Sequence, residues 1–165
     1  MNLSDLFIVS IVVFILASFY VWLRFFKQET KKEIASDHSK QIQLQAYERV
    51  LLLTNRISLN NLISRLNVSD ATARDMQSLL TQTIREEFDF NVSQQLYVSS
   101  DAWTALKKLK DQNLFIINQI AATLPSNATG GELNKTILEF LMNDKRGSLP
   151  EIVSEVLASE AKKIM

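Results

Sequence analysis

The strongest constraint on the fold of this chain is the late appearance of its helix-breaking residues. The first proline is Pro125 and the first glycine is Gly130. Because these two residue types interrupt regular structure most strongly, their long absence favours helices and disfavours a hairpin-rich sheet. Hydrophobic residues also recur at helical spacing beyond residue 44. The sequence therefore predicts an all-α fold.

Charge and cysteine content narrow the classes of function. The chain of 165 residues has 18 Lys and Arg residues and 18 Asp and Glu residues, so its net charge is zero. Because the chain has neither a net positive charge nor a dense stripe of basic residues, no nucleic-acid partner is expected. Cysteine is absent, which excludes disulfides, thiolate metal sites and cysteine nucleophiles.

The segment from Leu6 to Leu23 carries no charge, and with Phe25 and Phe26 it approaches the roughly 20 apolar residues that cross a membrane. The sequence therefore predicts a transmembrane helix from Leu6 to Phe26, in contact with the lipid bilayer. Basic residues follow this segment, so the positive-inside rule places the N-terminus outside and the rest in the cytoplasm. We expect a single-pass protein of the inner (cytoplasmic) membrane with an uncleaved signal anchor. A cleaved signal peptide is the alternative, although no A-x-A-like site follows.

Three regions are predicted along the chain. Residues 1–27 form the anchor, residues 28–43 a polar juxtamembrane helix or tether, and residues 44–165 a small multi-helix cytoplasmic domain. The middle region is polar and lacks a breaker, so a helical continuation of the anchor is expected, with a flexible tether as the alternative.

Helical spacing and capping residues divide the last region further. A helix to Ile57 precedes a short helix capped by Ser58. A third helix is expected from Asp70 to about Phe88, and Ser69 followed by Asp70 marks its N-terminus. Phe90 to Ser100 is predicted to be a connector that can contain a short helical turn, since its residues favour extended backbone.

A long helix is then expected from Ser99 or Ser100 to about Leu124, with a buried stripe formed by Ala102, Leu106, Leu109, Ile116, Ile117, Ile120 and Leu124. A loop from Ser126 to Gly131 is expected to follow it. Gly147 is predicted to end the next helix. Ser148 and Glu151 form a capping-box pattern at the start of the last helix. The residues expected to be buried in that helix are Ile152, Val153, Val156, Leu157 and Ile164.

No motif in the chain points to catalysis. The metalloprotease, nucleophile-elbow, P-loop and dinucleotide-binding patterns are all absent. The only histidine, His38, has Ala35 three residues before it, so the Glu-x-x-His pattern of a di-iron bundle is missing. Glu86 and Glu87 point about 100° apart on a helix and read as a solvated helix end. The sequence predicts no catalytic residue, metal or cofactor, and it disfavours an enzyme without excluding one.

Candidate binding residues lie in two segments. In the first, Tyr47 is expected in the core with its hydroxyl bonded, while Glu48 and Arg49 face outward. In the second, Trp103 is expected to pack rather than to stack on a ligand.

The amides of the predicted connector leave two interpretations open. Asn91, Gln94 and Gln95 can hold a buried turn or bind the backbone of a partner. The structural role is the favoured one.

The sequences QLQAYERVLLLTNRIS (Gln43 to Ser58) and EEFDFNVSQQLYVSSDAW (Glu86 to Trp103) resemble an uncharacterised bacterial family of small single-span membrane proteins. In that family a Q-A-Y-E-R helix follows the anchor, and an E-F-x-x-N-x-S-Q-Q-x-Y-V-S-like connector lies in mid-chain. The resemblance implies no established activity. It implies that one shared feature, either a fold determinant or a binding surface, includes Tyr47, Glu48, Arg49, Asn91, Ser93, Gln94, Gln95, Tyr97 and Trp103.

These observations favour a membrane-anchored helical interaction or scaffold protein whose partner is another protein. The alternative is a ligand-binding or enzymatic module that uses the segment from Glu86 to Trp103. The oligomeric state stays open.

Overall fold

The computed structural model of the chain describes residues 3–66, 68 and 70–165, with side chains described at 14–24, 37–66, 68, 70–144 and 147–165. The described residues form six α-helices and two short 3₁₀ helices, so the all-α prediction is confirmed. The α-helices are α1 (Leu3–Ile57), α2 (Leu59–Arg65), α3 (Ala73–Phe90), α4 (Ser100–Thr123), α5 (Gly130–Asn143) and α6 (Leu149–Lys162), and the 3₁₀ helices are Val92–Leu96 and Lys145–Ser148.

The predicted membrane anchor is the main correction. In the part of the chain that the structure describes, no helix combines the length and the apolar character needed to cross a membrane. A span needs about 20 consecutive apolar residues, and the described side chains of the apolar segment run only from Phe14 to Arg24. Residues 6–13, 25 and 26 lie outside the described side chains. On this finding the transmembrane helix, the single-pass signal anchor and the inner-membrane location with its N-terminus outside are wrong.

The chain divides into two units, Met1–Gln41 and Ile42–Met165. In the first unit the backbone of α1 is helical at residues 28–41. The second unit contains the C-terminal part of α1 and all of the later helices.

The core of the second unit is built from helical stripes that the residue spacing predicts. On α4, Leu106, Leu109 and Ile117 have no exposed surface. α3 packs against α4 and α5, and α6 packs against α4. The other helices bury residues at the same spacing, including Val50, Leu53, Ile57, Met76, Leu80, Ile84, Leu133, Ile137, Val153 and Leu157.

Two capped helix starts are joined to each other at one end of this core. Thr72 caps α3 through a capping box with Asp75, and Thr129 caps α5 through a capping box with Glu132. The backbone N–H of Thr129 donates to the Glu132 carboxylate at 2.7 Å, which lowers the pKa of Glu132. An antiparallel β-bridge pairs Thr72 with Thr129. The two helices therefore start side by side because their caps share backbone hydrogen bonds.

The paired caps correct two predicted boundaries. α3 begins at Ala73 rather than Asp70, and the expected cap residue Ser69 lies outside the described residues. α5 begins at Gly130, so the predicted loop ends two residues too late. The N–H of Gly130 donates to the carbonyl oxygen of Ala71 at 2.7 Å. The tertiary pairing of the caps decides these boundaries.

Gly130 is expected to tolerate a side chain less well than its neighbour Gly131. A Cβ at Gly130 would lie 3.1 Å from both the Ala71 carbonyl oxygen and the Met76 Cβ, whereas at Gly131 its nearest contact is 3.9 Å away. We predict that Gly131→Ala stabilises the fold by about 0.4–1 kcal/mol. Gly130→Ala should be less stable than Gly131→Ala by about 1–3 kcal/mol, because the crowding is against backbone. Urea unfolding followed by circular dichroism measures both, and equal effects would contradict the close approach of the caps.

The C-terminal region differs from prediction in three respects. α5 ends at Asn143, and Gly147 instead lies in the following 3₁₀ helix, where a Cβ would clash with the Leu141 carbonyl oxygen. The expected capping box at α6 is not formed, because Ser148 makes no side-chain cap hydrogen bond. Ile152 and Val156 are 52% and 37% exposed, since α6 turns a narrower face to the core than its sequence suggests.

Candidate functional site

Tyr47 belongs to a hydrogen-bonded cluster that ties together α1, α4 and α6. Its side chain is buried, and its hydroxyl donates to Glu160 Oε2 at 2.7 Å. The same hydroxyl accepts from the backbone N–H of Ser99 at 3.0 Å, while the Ser99 hydroxyl donates to Glu160 at 2.6 Å. Ser99 also caps α4 by accepting from the Ala102 N–H. Burial raises the pKa of Tyr47, and the hydrogen bond to Glu160 adds to this effect. The cluster accounts for Tyr47 as a structural residue.

Trp103 has a similarly structural environment. It is 7% exposed, and its ring lies 5.1 Å from that of Phe88 on α3. The Phe88 ring also makes a cation–π contact, because the Nζ of Lys110 lies 4.7 Å from the centre of this ring. Trp103 therefore joins α4 to α3 and presents no open ring face for a ligand.

An open groove lies between α1 and α3, and we call it the α1/α3 groove. Its volume is about 650 Å³. Leu53 is buried, whereas Leu52 on one helix is 55% exposed and Phe90 on the other is 82% exposed. Helical spacing on α1 and α3 thus leaves apolar side chains exposed on both walls. The groove is lined by Arg49, Leu52, Leu53, Arg56, Thr83, Glu86, Glu87, Phe90 and Asn91.

One ion-pair cluster joins the two walls of this groove. Arg56 on α1 donates through Nε to both carboxylate oxygens of Glu87 on α3 at 2.9 Å, and its Nη2 also contacts Glu87. Arg65 lies 3.7 Å from the same carboxylate. Glu87 raises the pKa of Arg56, chiefly through these hydrogen bonds. Glu87 thus contacts one arginine of α1 and one of α2.

The remaining predicted residues do not gather at one site. Arg49 and Asn91 both line the α1/α3 groove, where the Asn91 amide donates back to the Glu87 carbonyl oxygen at 2.9 Å. Glu48 is exposed on α1 and lines no described groove.

The connector residues lie at the surface of the 3₁₀ helix Val92–Leu96 and just beyond it. Gln94 is half-buried, and its side chain lies 3.4 Å from the Ser93 hydroxyl. Gln95 and Tyr97 are exposed, Tyr97 by 44%. The expected short helical turn is present, but its amides do not converge on a pocket with Tyr47 or Trp103.

The sequence pattern did not indicate Leu52 and Arg56 as residues of a site, and it predicted that Glu87 lies at a solvated helix end. Leu52 and Phe90 lie outside the buried stripes of their helices. An apolar residue outside such a stripe is expected to be exposed, and this signal could have identified both residues. Arg56 and Glu87 lie on helices far apart in sequence, so only the packing of α1 beside α3 reveals their pairing. Among the described residues, no group of His, Asp and Glu side chains is arranged to hold a metal ion.

No curated protein and no solved structure matches this chain. A family of unknown function, DUF7935, matches residues 1–164. This agrees with the resemblance to an uncharacterised family, although it bears on neither of the two sequence motifs. Because the match covers nearly the whole chain, the protein belongs to the DUF7935 family of unknown function.

Proposed function

We propose that residues 42–165 form a protein-binding module whose α1/α3 groove takes an amphipathic helix of a partner protein. The observation that carries this proposal is the presence of Leu52 and Phe90, both exposed, on the two walls of one open groove. Single exposed apolar residues are ordinary, but apolar side chains grouped at a concave surface mark interaction sites.

The shape of the groove favours a helix as the bound element. Two helices form its walls, and ridges of side chains on a third helix pack into such a surface. A volume of about 650 Å³ accommodates a few side chains. Apolar anchors at i, i+3 or i+4, and i+7 of the partner helix would contact Leu52 and Phe90.

The charges of the groove indicate an acidic residue on the partner. Arg49 is exposed and forms no ion pair with the residues that the structure describes. Two carboxylates line the groove. Glu87 is already bound by Arg56 and Arg65, and Glu86 accepts a hydrogen bond from the Gln82 side chain at 2.7 Å. A carboxylate of the partner would form an ion pair with Arg49 and would thereby fix the register of the bound helix in the groove.

The proposal is tested by site-specific cross-linking of the full chain in its native cells. A photoreactive phenylalanine analogue replaces Leu52 in one variant and Phe115, which is 54% exposed on α4, in a control. We expect the Leu52 variant alone to cross-link a distinct protein, within a segment of amphipathic helical pattern that carries an acidic residue.

Charge reversal distinguishes a specific contact from accidental capture. Arg49→Glu should reduce cross-linking at position 52 by about tenfold, since it replaces attraction by repulsion. Exchange of the partner's acidic residue for lysine should restore it. Cross-links to the chain itself, the same products at positions 52 and 115, or no effect of the charge reversal would contradict the proposal.

A further inference from the structure

A second groove in residues 42–165 lies between α2 and α6, and we call it the α2/α6 groove. Its volume is about 380 Å³. Glu151 and Glu155 of α6 line one side of it, and polar residues that include Ser58 and Asn60 line the other. None of the described residues in its lining is basic, and Pro150 alone among them is apolar. The groove is therefore polar and carries a negative charge.

Ser58 is the buried polar residue of this groove, since it is only 7% exposed. It occupies the N-cap position of α2, where a serine hydroxyl usually accepts a hydrogen bond from a backbone N–H. Here the hydroxyl makes no cap hydrogen bond, and it makes no other hydrogen bond to a described residue. Among the buried side chains that the structure describes, only Asn134 has polar atoms that are both unpartnered and closed to solvent. The Ser58 hydroxyl is therefore unpaired but accessible from the groove.

The two carboxylates of α6 are one helical turn apart and lack a counter-charge. Neither Glu151 nor Glu155 forms an ion pair with the residues that the structure describes. Like charges four residues apart repel each other on a helix. On α5, by contrast, the residue one turn before Glu139 is Lys135, and the two form an ion pair at 3.8 Å.

Helix stability accounts for only one of these two carboxylates. Glu151 lies in the first turn of α6, where its negative charge complements the helix dipole. Glu155 lies one turn further along, where the effect of the dipole has decayed. The fold thus explains the charge of Glu151, whereas it gives the charge of Glu155 no internal role.

The chemistry of the α2/α6 groove indicates a ligand with a positive charge and several hydrogen-bond donors. Two carboxylates would repel an anion, and the described His, Asp and Glu side chains form no group that could hold a metal ion. A primary ammonium group has one positive charge, three donors and no acceptor. It can therefore pair with Glu155 and donate to the Ser58 hydroxyl oxygen, while its alkyl stem lies against the Pro150 ring.

We propose that the α2/α6 groove binds a primary ammonium group on an alkyl chain, carried by a free aliphatic diamine or by the lysine side chain of a polypeptide. The ammonium group forms an ion pair with Glu155 and a hydrogen bond with the Ser58 hydroxyl. The α2/α6 groove shares no lining residue with the α1/α3 groove, so this proposal and the proposed function stand independently.

The first test compares the stabilities of two serine variants of the full chain. Ser58→Ala should leave Tm unchanged, because the Ser58 hydroxyl makes no cap hydrogen bond. Ser99→Ala should lower Tm by a few degrees, because the Ser99 hydroxyl caps α4 and donates to Glu160. If Ser58→Ala lowers Tm as much as Ser99→Ala does, the Ser58 hydroxyl has a role inside the fold and the proposal is overturned.

The second test measures binding to the full chain in nitrogen-15 NMR spectra. Putrescine represents a free diamine, and N-acetyl-lysine N-methylamide carries the same alkyl stem on a peptide backbone. The backbone N–H signal of Ser58 and the side-chain NH₂ signals of Asn60 should shift and saturate on titration. The probe that binds more tightly identifies the source of the ammonium group.

Matched variants then locate the bound ammonium group. Ser58→Ala and Glu155→Gln should each weaken binding about fivefold, the usual effect of losing one hydrogen bond or one exposed ion pair. Glu139→Gln removes the same charge outside the α2/α6 groove and should leave binding unchanged. Absence of a saturable shift with both probes, equal weakening by Glu155→Gln and Glu139→Gln, or equal shifts with calcium chloride would overturn the proposal.

Discussion

Replacing Trp103 by alanine is expected to lower the free energy of unfolding by about 3–5 kcal/mol, the usual effect of removing a large aromatic side chain from a core. Trp103 is 7% exposed and packs on Phe88 at 5.1 Å between ring centres. The variant removes both the buried area and the contact that joins α4 to α3. Guanidinium unfolding followed by far-ultraviolet circular dichroism measures the loss.

Tyr97 supplies the matched control for this prediction. Tyr97 lies with Trp103 in the segment from Glu86 to Trp103, but its side chain is 44% exposed. Tyr97→Ala should therefore change the free energy of unfolding by no more than about 0.5 kcal/mol. Equal effects of the two variants, or an unchanged stability in Trp103→Ala, would show that Trp103 is not a core residue.

Replacing Tyr47 by phenylalanine is expected to destabilise the fold by about 1–3 kcal/mol at neutral pH, because buried hydrogen-bonding groups lose their partner. The Glu160 carboxylate would lose one of its two donors, and the Ser99 N–H would lose its acceptor. The ring stays in place, so the loss reports on the hydroxyl alone. Urea unfolding at pH 8 gives the value, and a change within error would contradict a role for the cluster in joining α1, α4 and α6.

Because the Tyr47 hydroxyl group can ionise, we also expect the stability of the fold to depend on pH in the alkaline range. Burial raises the pKa of Tyr47 in the folded protein above its ordinary value of 10.0, so the folded state holds this proton more tightly than the unfolded state does. The resulting stability is fully present below about pH 10 and is lost as pH rises through the folded pKa. The gap in stability between the unsubstituted protein and Tyr47→Phe should therefore narrow from pH 8 to pH 11. A constant gap would mean that Tyr47 does not titrate differently in the fold.

The helical stripes of α3 and α4 illustrate what residue spacing predicts well. On α4 the predicted residues Ala102, Leu106, Leu109 and Ile116 are all buried. A helix that buries one face must repeat apolar residues at a period near 3.6, and this requirement is local to the helix. The same reasoning was less accurate for α6, where Ile152 and Val156 are exposed, because how wide a face is covered depends on the neighbouring helices.

The N-termini of the helices show more clearly what a local sequence pattern cannot predict. Thr72 with Asp75 and Thr129 with Glu132 form the capping boxes, whereas the pattern at Ser148 and Glu151 does not. All three share the same spacing of a hydroxyl residue and an acidic residue. The first two are held by the β-bridge between their loops, a contact between residues more than fifty positions apart.

The sequence by itself determined the helical class of this protein, the buried stripes of its long helices, and the buried positions of Tyr47 and Trp103. The helical class follows from the scarcity of breakers, the stripes from apolar periodicity, and the burial of Tyr47 and Trp103 from the general tendency of large aromatic side chains to pack in cores. Only the tertiary structure decided which helix starts are joined, that Arg56 pairs with Glu87, and that Asn113 has a hydrogen-bond partner whereas the Asn134 amide has none among the described residues. Those outcomes depend on which helices lie side by side, and side-chain hydrogen bonds between distant segments leave no periodic trace in a single sequence.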